Sequence, residues 1–304
     1  MAGRIKTTII TGFLGSGKTT FINRLLKDYP DREFAVVENE FGEVSVDARL
    51  IRGVNASHLF ELKNGCICCT IVDEYELVLQ ELAERFPSTQ ELLIETTGVA
   101  DPAEVIAPFY KSPVIRELYD LQGIICMADA RNHASPALHP LAVKQMAISD
   151  IICLTKVEEL SAEDLDVHTV HLQNLHPFSR IICSAAAPVP FPLHNYREHR
   201  PQRFMFQPSQ MTVQQLGITS KTLRFTGPVS RPDFEERLSW LLDVYNKKIF
   251  RVKGMMTFRN EPFEYIVQAV GNNWEITEGD IFYGEPQGVL VFIGELGGVS
   301  FEGF

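Results

Sequence analysis

The sequence is short of positive charge. Its 28 lysines and arginines face 39 aspartates and glutamates, giving a net charge of −11 over 304 residues. That balance argues against a nucleic-acid partner, because affinity for DNA or RNA rests largely on Lys and Arg contacts to phosphate. No apolar run is long enough to span a bilayer, so no membrane partner is expected. The apolar start "TTIIT" (7–11) breaks at Gly12, well short of a signal-peptide core and with no cleavage site after it. These absences lead to the expectation of a cytoplasmic protein. Cysteine is scarce too, at six residues in the chain. In a reducing compartment, clustered thiols point to metal binding or catalysis before disulfide staples.

What is present is a substantial apolar complement, 45% of the residues, enough for a large core and two domains. Short runs that are apolar throughout recur as "TTIIT" (7–11), "FAVVE" (34–38), "ELLIE" (91–95), "GIICMAD" (123–129), "DIICLT" (150–155) and "RIICS" (180–184), separated by helical stretches. Strands of this kind fit a parallel sheet covered on both faces. They place Cys126, Cys153 and Cys183 inside strands as buried apolar residues without chemistry. A proline-rich tract over 185–210 then interrupts the pattern. Beyond it, "TLRFTG", a helical "RPDFEERLSWLLDVY", "IFRVKGMMTF", "FEYIVQAVG" and "GVLVFIGEL" suggest a mostly antiparallel sheet with one helix. The expected fold is α/β: a P-loop NTPase domain with a mostly parallel sheet over residues 1–187, a linker over 188–218, and a smaller α+β domain over 219–304.

The strongest motif is "TTIITGFLGSGKTT", a strand followed by Gly12-x-x-x-x-Gly17-Lys18-Thr19 and then the apolar-periodic helix "TFINRLLKDY". Glycine at such positions lets backbone N–H groups turn toward phosphate oxygens, and the helix N-terminus adds favourable partial charge. Gly12, Gly15, Ser16, Gly17, Lys18, Thr19 and Thr20 are therefore candidate nucleotide contacts. Lys18 is expected at the β- and γ-phosphates and the Thr19 hydroxyl on Mg²⁺. In "LLIETTG", Glu95 closes a strand where a carboxylate can influence Mg²⁺ or the attacking water, and the Gly98 N–H can reach the γ-phosphate. Lys18 and Glu95 are the catalytic candidates. After a later strand comes Thr155-Lys156-Val157-Glu158, where P-loop GTPases carry Asn-Lys-x-Asp. A carboxylate at Glu158 can accept the ring N–H and the exocyclic amine of guanine, so it and Lys156 are the base contacts, and GTP is the expected nucleotide.

"ELKNGCICCT" (61–70) concentrates three of the six cysteines. Side chains alternate along extended chain, so Cys66 and Cys68 can face one way while the turn brings Cys69 round. Three thiolates suit a soft or borderline cation such as Zn²⁺ or Cu(I), with Co²⁺ or Ni²⁺ as further options. No fourth Cys or His lies nearby, and an open position suits a metal that must be released. A redox-sensing thiol is the competing reading. Upstream, "VVENEFGEVSVD" (36–47) carries Glu38, Glu40, Glu43 and Asp47 where a P-loop GTPase has a switch.

The ordered set "GFLGSGKTT", "ENEFGE", "GCICC", "ETTGVADP" and "TKVE", with "RVKGMMTF" and "VLVFIG" in the second domain, resembles the CobW-like family of P-loop GTPases over nearly the whole chain. The resemblance implies a slow, Mg²⁺-dependent GTPase acting as a metallochaperone that delivers zinc or a related ion to a client metalloprotein. It implies Cys66, Cys68 and Cys69 as metal ligands and Glu38 and Glu43 as oxygen ligands. Homo-oligomerisation is left open. Two departures stand out. His168, His171, His176, His194 and His199 are dispersed instead of forming a histidine-rich stretch, and "GELGGVSFEGF" leaves little length for a final helix. Two other readings stay open: a nucleotide-controlled regulatory interaction protein with redox-sensing thiols, and a small-molecule kinase.

Overall fold

The computed structural model describes residues 3–38, 58–61, 72–98, 100–131, 140–176, 179–183, 218–284 and 287–304. Cys66, Cys68, Cys69 and Glu43 lie outside the described residues, as does the 188–218 linker but for its last residue. The chain divides into two compact units, Met1–Met205 and Phe206–Phe304.

The first unit runs β1 (Ile5–Thr11), α1 (Lys18–Asp28), β2 (Phe34–Glu38), β3 (His58–Glu61), α2 (Val72–Arg85), β4 (Glu91–Glu95), α3 (Pro102–Lys111), α4 (Pro113–Leu118), β5 (Tyr119–Asp129), α5 (Pro140–Ile148), β6 (Ile151–Thr155), α6 (Ala162–Leu175) and β7 (Arg180–Cys183). The strands form one sheet in the order β3-β2-β4-β1-β5-β6-β7, and every ladder between them is parallel. Every residue of β4 and of β6 is buried, the result expected for unalternated apolar strands with helices on both faces. One core layer packs Phe21, Ile22, Leu25 and Leu26 of α1 on Ile10, Val36, Leu93 and Met127. Their helical spacing gives α1 its single apolar stripe. A second layer joins Cys126, Ile152 and Leu154 to Met146 and Leu172.

The connection leaving β1 runs toward the β3 edge, and the one leaving β5 runs toward the β7 edge. These neighbouring strands therefore mark the point where the winding reverses, the place beyond whose carboxyl ends open α/β sheets bind ligands.

Two expectations need correction. β5 begins at Tyr119, earlier than the apolar run at 123 suggested, because the strand carries polar Asp120 and Gln122 at its start. Cys183 is only half-buried, since among the described residues β7 has a strand on one side only. Cys126 and Cys153 are buried, and burial pushes both thiols up to about 12, which keeps them protonated and inert.

The second unit contains β8 (Thr219–Thr226), α7 (Arg231–Val244), β9 (Ile249–Thr257), β10 (Phe263–Val270), β11 (Asn273–Ile281) and β12 (Gln287–Gly294). Its sheet has the order β11-β10-β9-β12-β8 with antiparallel ladders. α7 lays Phe234, Leu238, Leu241 and Leu242 against Val252, Met256, Val267, Leu290 and Phe292. Residues 295–304 after β12 hold no helix, and Phe301 and Phe304 pack on this core. Among the described residues of the whole chain, no helix is long and apolar enough to cross a membrane.

Candidate nucleotide site

The loop between β1 and α1 sits at the carboxyl edge of the parallel sheet. Gly12 has φ 142°, and a Cβ there would lie 2.3 Å from the Met127 carbonyl oxygen, so only glycine lets the loop press against β5. Exposed Gly15 and half-buried Gly17 also have positive φ, and Gly17 is the N-cap of α1. No side chain caps this helix and its first turn holds no acidic residue. Its N-terminal end therefore favours an anion.

Lys18 is only 9% exposed, and its Nζ donates to the Gly12 carbonyl at 3.0 Å. A buried ammonium is costly unless acceptors or an anion surround it. Thr19 Oγ1 donates to Glu95 Oε1 at 3.1 Å, bringing a helix hydroxyl and a strand-end carboxylate together across 76 residues of chain. Ser16 Oγ is buried with no hydrogen-bond partner among the described residues, whereas Thr20 is exposed on α1. A Cβ on Gly98 would stand 2.6 Å from the Leu14 nitrogen, so the segment after β4 meets the loop backbone to backbone. Thr96 ties that segment to β1: its N–H donates to the Ile10 carbonyl at 2.9 Å and its hydroxyl to Thr11 Oγ1 at 3.0 Å.

The β6 end is built differently. Thr155 stands where the expected motif has asparagine, and its hydroxyl lies 2.9 Å from the Ser16 carbonyl and 3.2 Å from that of Ala128. Lys156 adopts φ 56°, and its Nζ donates to Asp129 Oδ2 at 2.7 Å. Asp129, the last residue of β5, also accepts from Arg131 Nε at 3.1 Å and Nη2 at 3.0 Å. The Arg131 hydrogen bond, with help from Lys156, holds the Asp129 carboxyl well below the usual carboxylate range. Glu158 is exposed in the short 3₁₀ turn Val157–Glu159.

Sequence reasoning missed Asp129 and Arg131, although a carboxylate at the end of a buried parallel strand was the available signal. It also missed Gln145 and Lys144 of α5, which hold the segment after Gly98.

Of the expected metal ligands, Glu38 is placed by its backbone: in register it pairs with Glu61 on one side and Glu95 on the other. Among the described residues, no group of three or more His, Cys, Asp or Glu is arranged to hold a metal. His168 and His171 lie on α6 and His176 is its C-cap, while His194 and His199 are outside the described residues.

A family model for the CobW/HypB/UreG nucleotide-binding domain matches residues 6–182. The chain belongs to the CobW/HypB/UreG family. A second model, the cobalamin synthesis protein cobW C-terminal domain, matches residues 218–301, which adds the CobW-type second domain. The zinc chaperone YjiA of Escherichia coli is 32% identical over 95% of this chain and 94% of its own length. The zinc chaperone CobW of Pseudomonas aeruginosa is 27% identical over 90% of this chain and 82% of its own. A crystal structure of Zn(II)-bound YjiA GTPase from Escherichia coli superposes with a TM-score of 0.71 at 26% identity, covering 96% of this chain and 94% of that one.

Proposed function

We propose that this CobW-family chain is a GTPase whose nucleotide state controls the binding and release of a transition-metal cargo destined for a client metalloprotein. Zinc is the first candidate, since the relatives above are named zinc chaperones, with cobalt or nickel as alternatives. The observation that carries the reading is one of register. Glu61, Glu38 and Glu95 stand abreast on β3, β2 and β4, so about 10 Å separates the first from the last at the usual strand spacing. Cys66, Cys68 and Cys69 follow Glu61, the last residue of β3, within eight residues of sequence, and Glu95 contacts the α1 hydroxyl at Thr19. A change at the nucleotide therefore has a short path along one row of the sheet to Glu61, the strand end from which the cysteine sequence continues.

In this reading, the α1 N-terminus and Lys18 bind the phosphates, Gly98 N–H meets the γ-phosphate, and Lys156 with Glu158 receives guanine. Thr155 replaces the missing asparagine by fixing the loop carbonyl of Ser16. Thr19 and Glu95 offer the hard oxygen donors that Mg²⁺ prefers; when bound there it would offset charge on the β- and γ-phosphate oxygens. Cys66, Cys68 and Cys69 hold the cargo as thiolates, joined by Glu38 and Glu43, and binding releases protons.

Anaerobic titration of the reduced chain with Zn²⁺, with and without a non-hydrolysable GTP analogue, tests this. The expected result is one tight site whose affinity shifts with nucleotide and disappears in the Cys66→Ser/Cys68→Ser/Cys69→Ser variant. Binding indifferent to the nucleotide, or to the three substitutions, would overturn the coupling.

A further inference from the structure

α5 is apolar along most of its length but carries Lys144 and Gln145 side by side. Gln145 is fully buried, an unfavourable place for an amide, and its Oε1 has no hydrogen-bond partner among the described residues. Its Nε2 donates to the Gly98 carbonyl at 3.3 Å and to the Ala100 carbonyl at 3.2 Å. Lys144 adds an ion pair of 2.5 Å with Asp101, the residue that caps α3 by accepting from the Ala103 N–H at 3.0 Å. α5 thus grips Gly98, Ala100 and Asp101, while the backbone of Leu14 in the phosphate loop closes on the Gly98 Cα.

Glycine leaves the peptide planes on either side of it free to rotate. The Gly98 N–H lies in the Thr97–Gly98 peptide plane, whose carbonyl accepts from the Ala100 N–H at 3.1 Å; by anchoring the Gly98 and Ala100 carbonyls, Gln145 fixes the far side of this turn and so narrows the directions open to the Gly98 N–H. We propose that Gln145 is a positioning residue for Gly98, and that through it α5 sets how strongly the site prefers a nucleoside triphosphate over a diphosphate. The inference rests on the GTPase reading above. It assigns to a helix remote from the glycine-rich motif the task of sensing the γ-phosphate.

The test uses the full chain with Gln145→Met, which keeps side-chain length and removes both donors, and separately Lys144→Met. Affinities for GDP and for a non-hydrolysable GTP analogue are measured alongside kcat and KM for GTP. In Gln145→Met the analogue is expected to lose about tenfold in affinity, the effect of roughly one well-placed hydrogen bond, while GDP stays within about twofold. Lys144→Met should shift the same ratio in the same direction by less, because its ion pair is partly exposed. Equal losses for both nucleotides, the signature of a merely structural role, would overturn the proposal, as would an unchanged ratio. If circular dichroism shows that Gln145→Met is unfolded, the ratio in Lys144→Met decides by the same criterion. Wild-type chain that fails to bind GTP would overturn the GTPase reading, and this proposal with it, before any variant is made.

Discussion

At the loop end of the candidate site Lys18 and Glu95 are buried, Ser16 has almost no exposed surface, and the loop itself is wedged against β5 and Leu14 against Gly98. At the β6 end Glu158 is exposed, and Lys156 and Arg131 share Asp129 through ion pairs whose basic side chains are 39% and 43% exposed. The first arrangement is fixed by backbone geometry and packing. The second is held by charges in contact with water, where each pair contributes little. If the proposed roles hold, phosphate recognition is rigid and base recognition adjustable, with Thr155 as the joint between the two ends, since its hydroxyl lies within hydrogen-bond distance of the loop carbonyl at Ser16.

Three substitutions probe that contrast. Lys18→Ala should have the largest effect, lowering affinity for GTP and GDP on the order of a hundredfold, because a charge-assisted contact to phosphate in a dry site is lost; titration with a fluorescent nucleotide measures it. A small effect would mean that the loop end does not dominate binding. Thr155→Val keeps shape but removes the hydroxyl. It should cost about 1 kcal/mol in chemical denaturation and weaken guanine and adenine nucleotides alike by a few-fold. A selective loss of guanine would move Thr155 from the joint to the base-reading end.

Asp129→Asn should have the smallest effect. The carboxyl is held below its ordinary range, so the stabilisation it supplies is fully present above about pH 4 and is lost only as the solution turns strongly acidic. The variant's penalty in thermal unfolding should therefore be the same at pH 5 and pH 8. A penalty that grows between those values would contradict this picture of the β6 end.

The two ends also differ in how far they can be read from sequence. The phosphate loop is local: glycine spacing, strand and helix all fall within the first 28 residues, and each follows from short-range geometry. The unalternated apolar runs likewise gave the parallel strands, because burial on both faces leaves a direct compositional trace. β11 left none, since its edge position allows an acidic, half-exposed strand such as "WEITEGD". Asp129 and Gln145 have their roles through contacts 27 and 45 residues away, and a single sequence carries no mark of such pairings. A glutamine and a lysine in the middle of "PLAVKQMAI" read as ordinary helix filler until the carbonyls and the carboxylate they serve are seen. The half-burial of Cys183 follows from sheet order, which the repeated "IIC" runs do not encode.

The hydrogen-bond contact between Thr155 and Ser16 closes a span of 139 residues, and this has a consequence for synthesis. The Gly-Lys-Thr signature leaves the ribosome well before the partner that braces its loop is made. Contacts of such long range are slow to form and exact a large loop-closure entropy. A nascent chain that has not reached residue 155 would thus display the phosphate-binding sequence without its brace, and nucleotide capture during translation should report that β6 has joined the sheet.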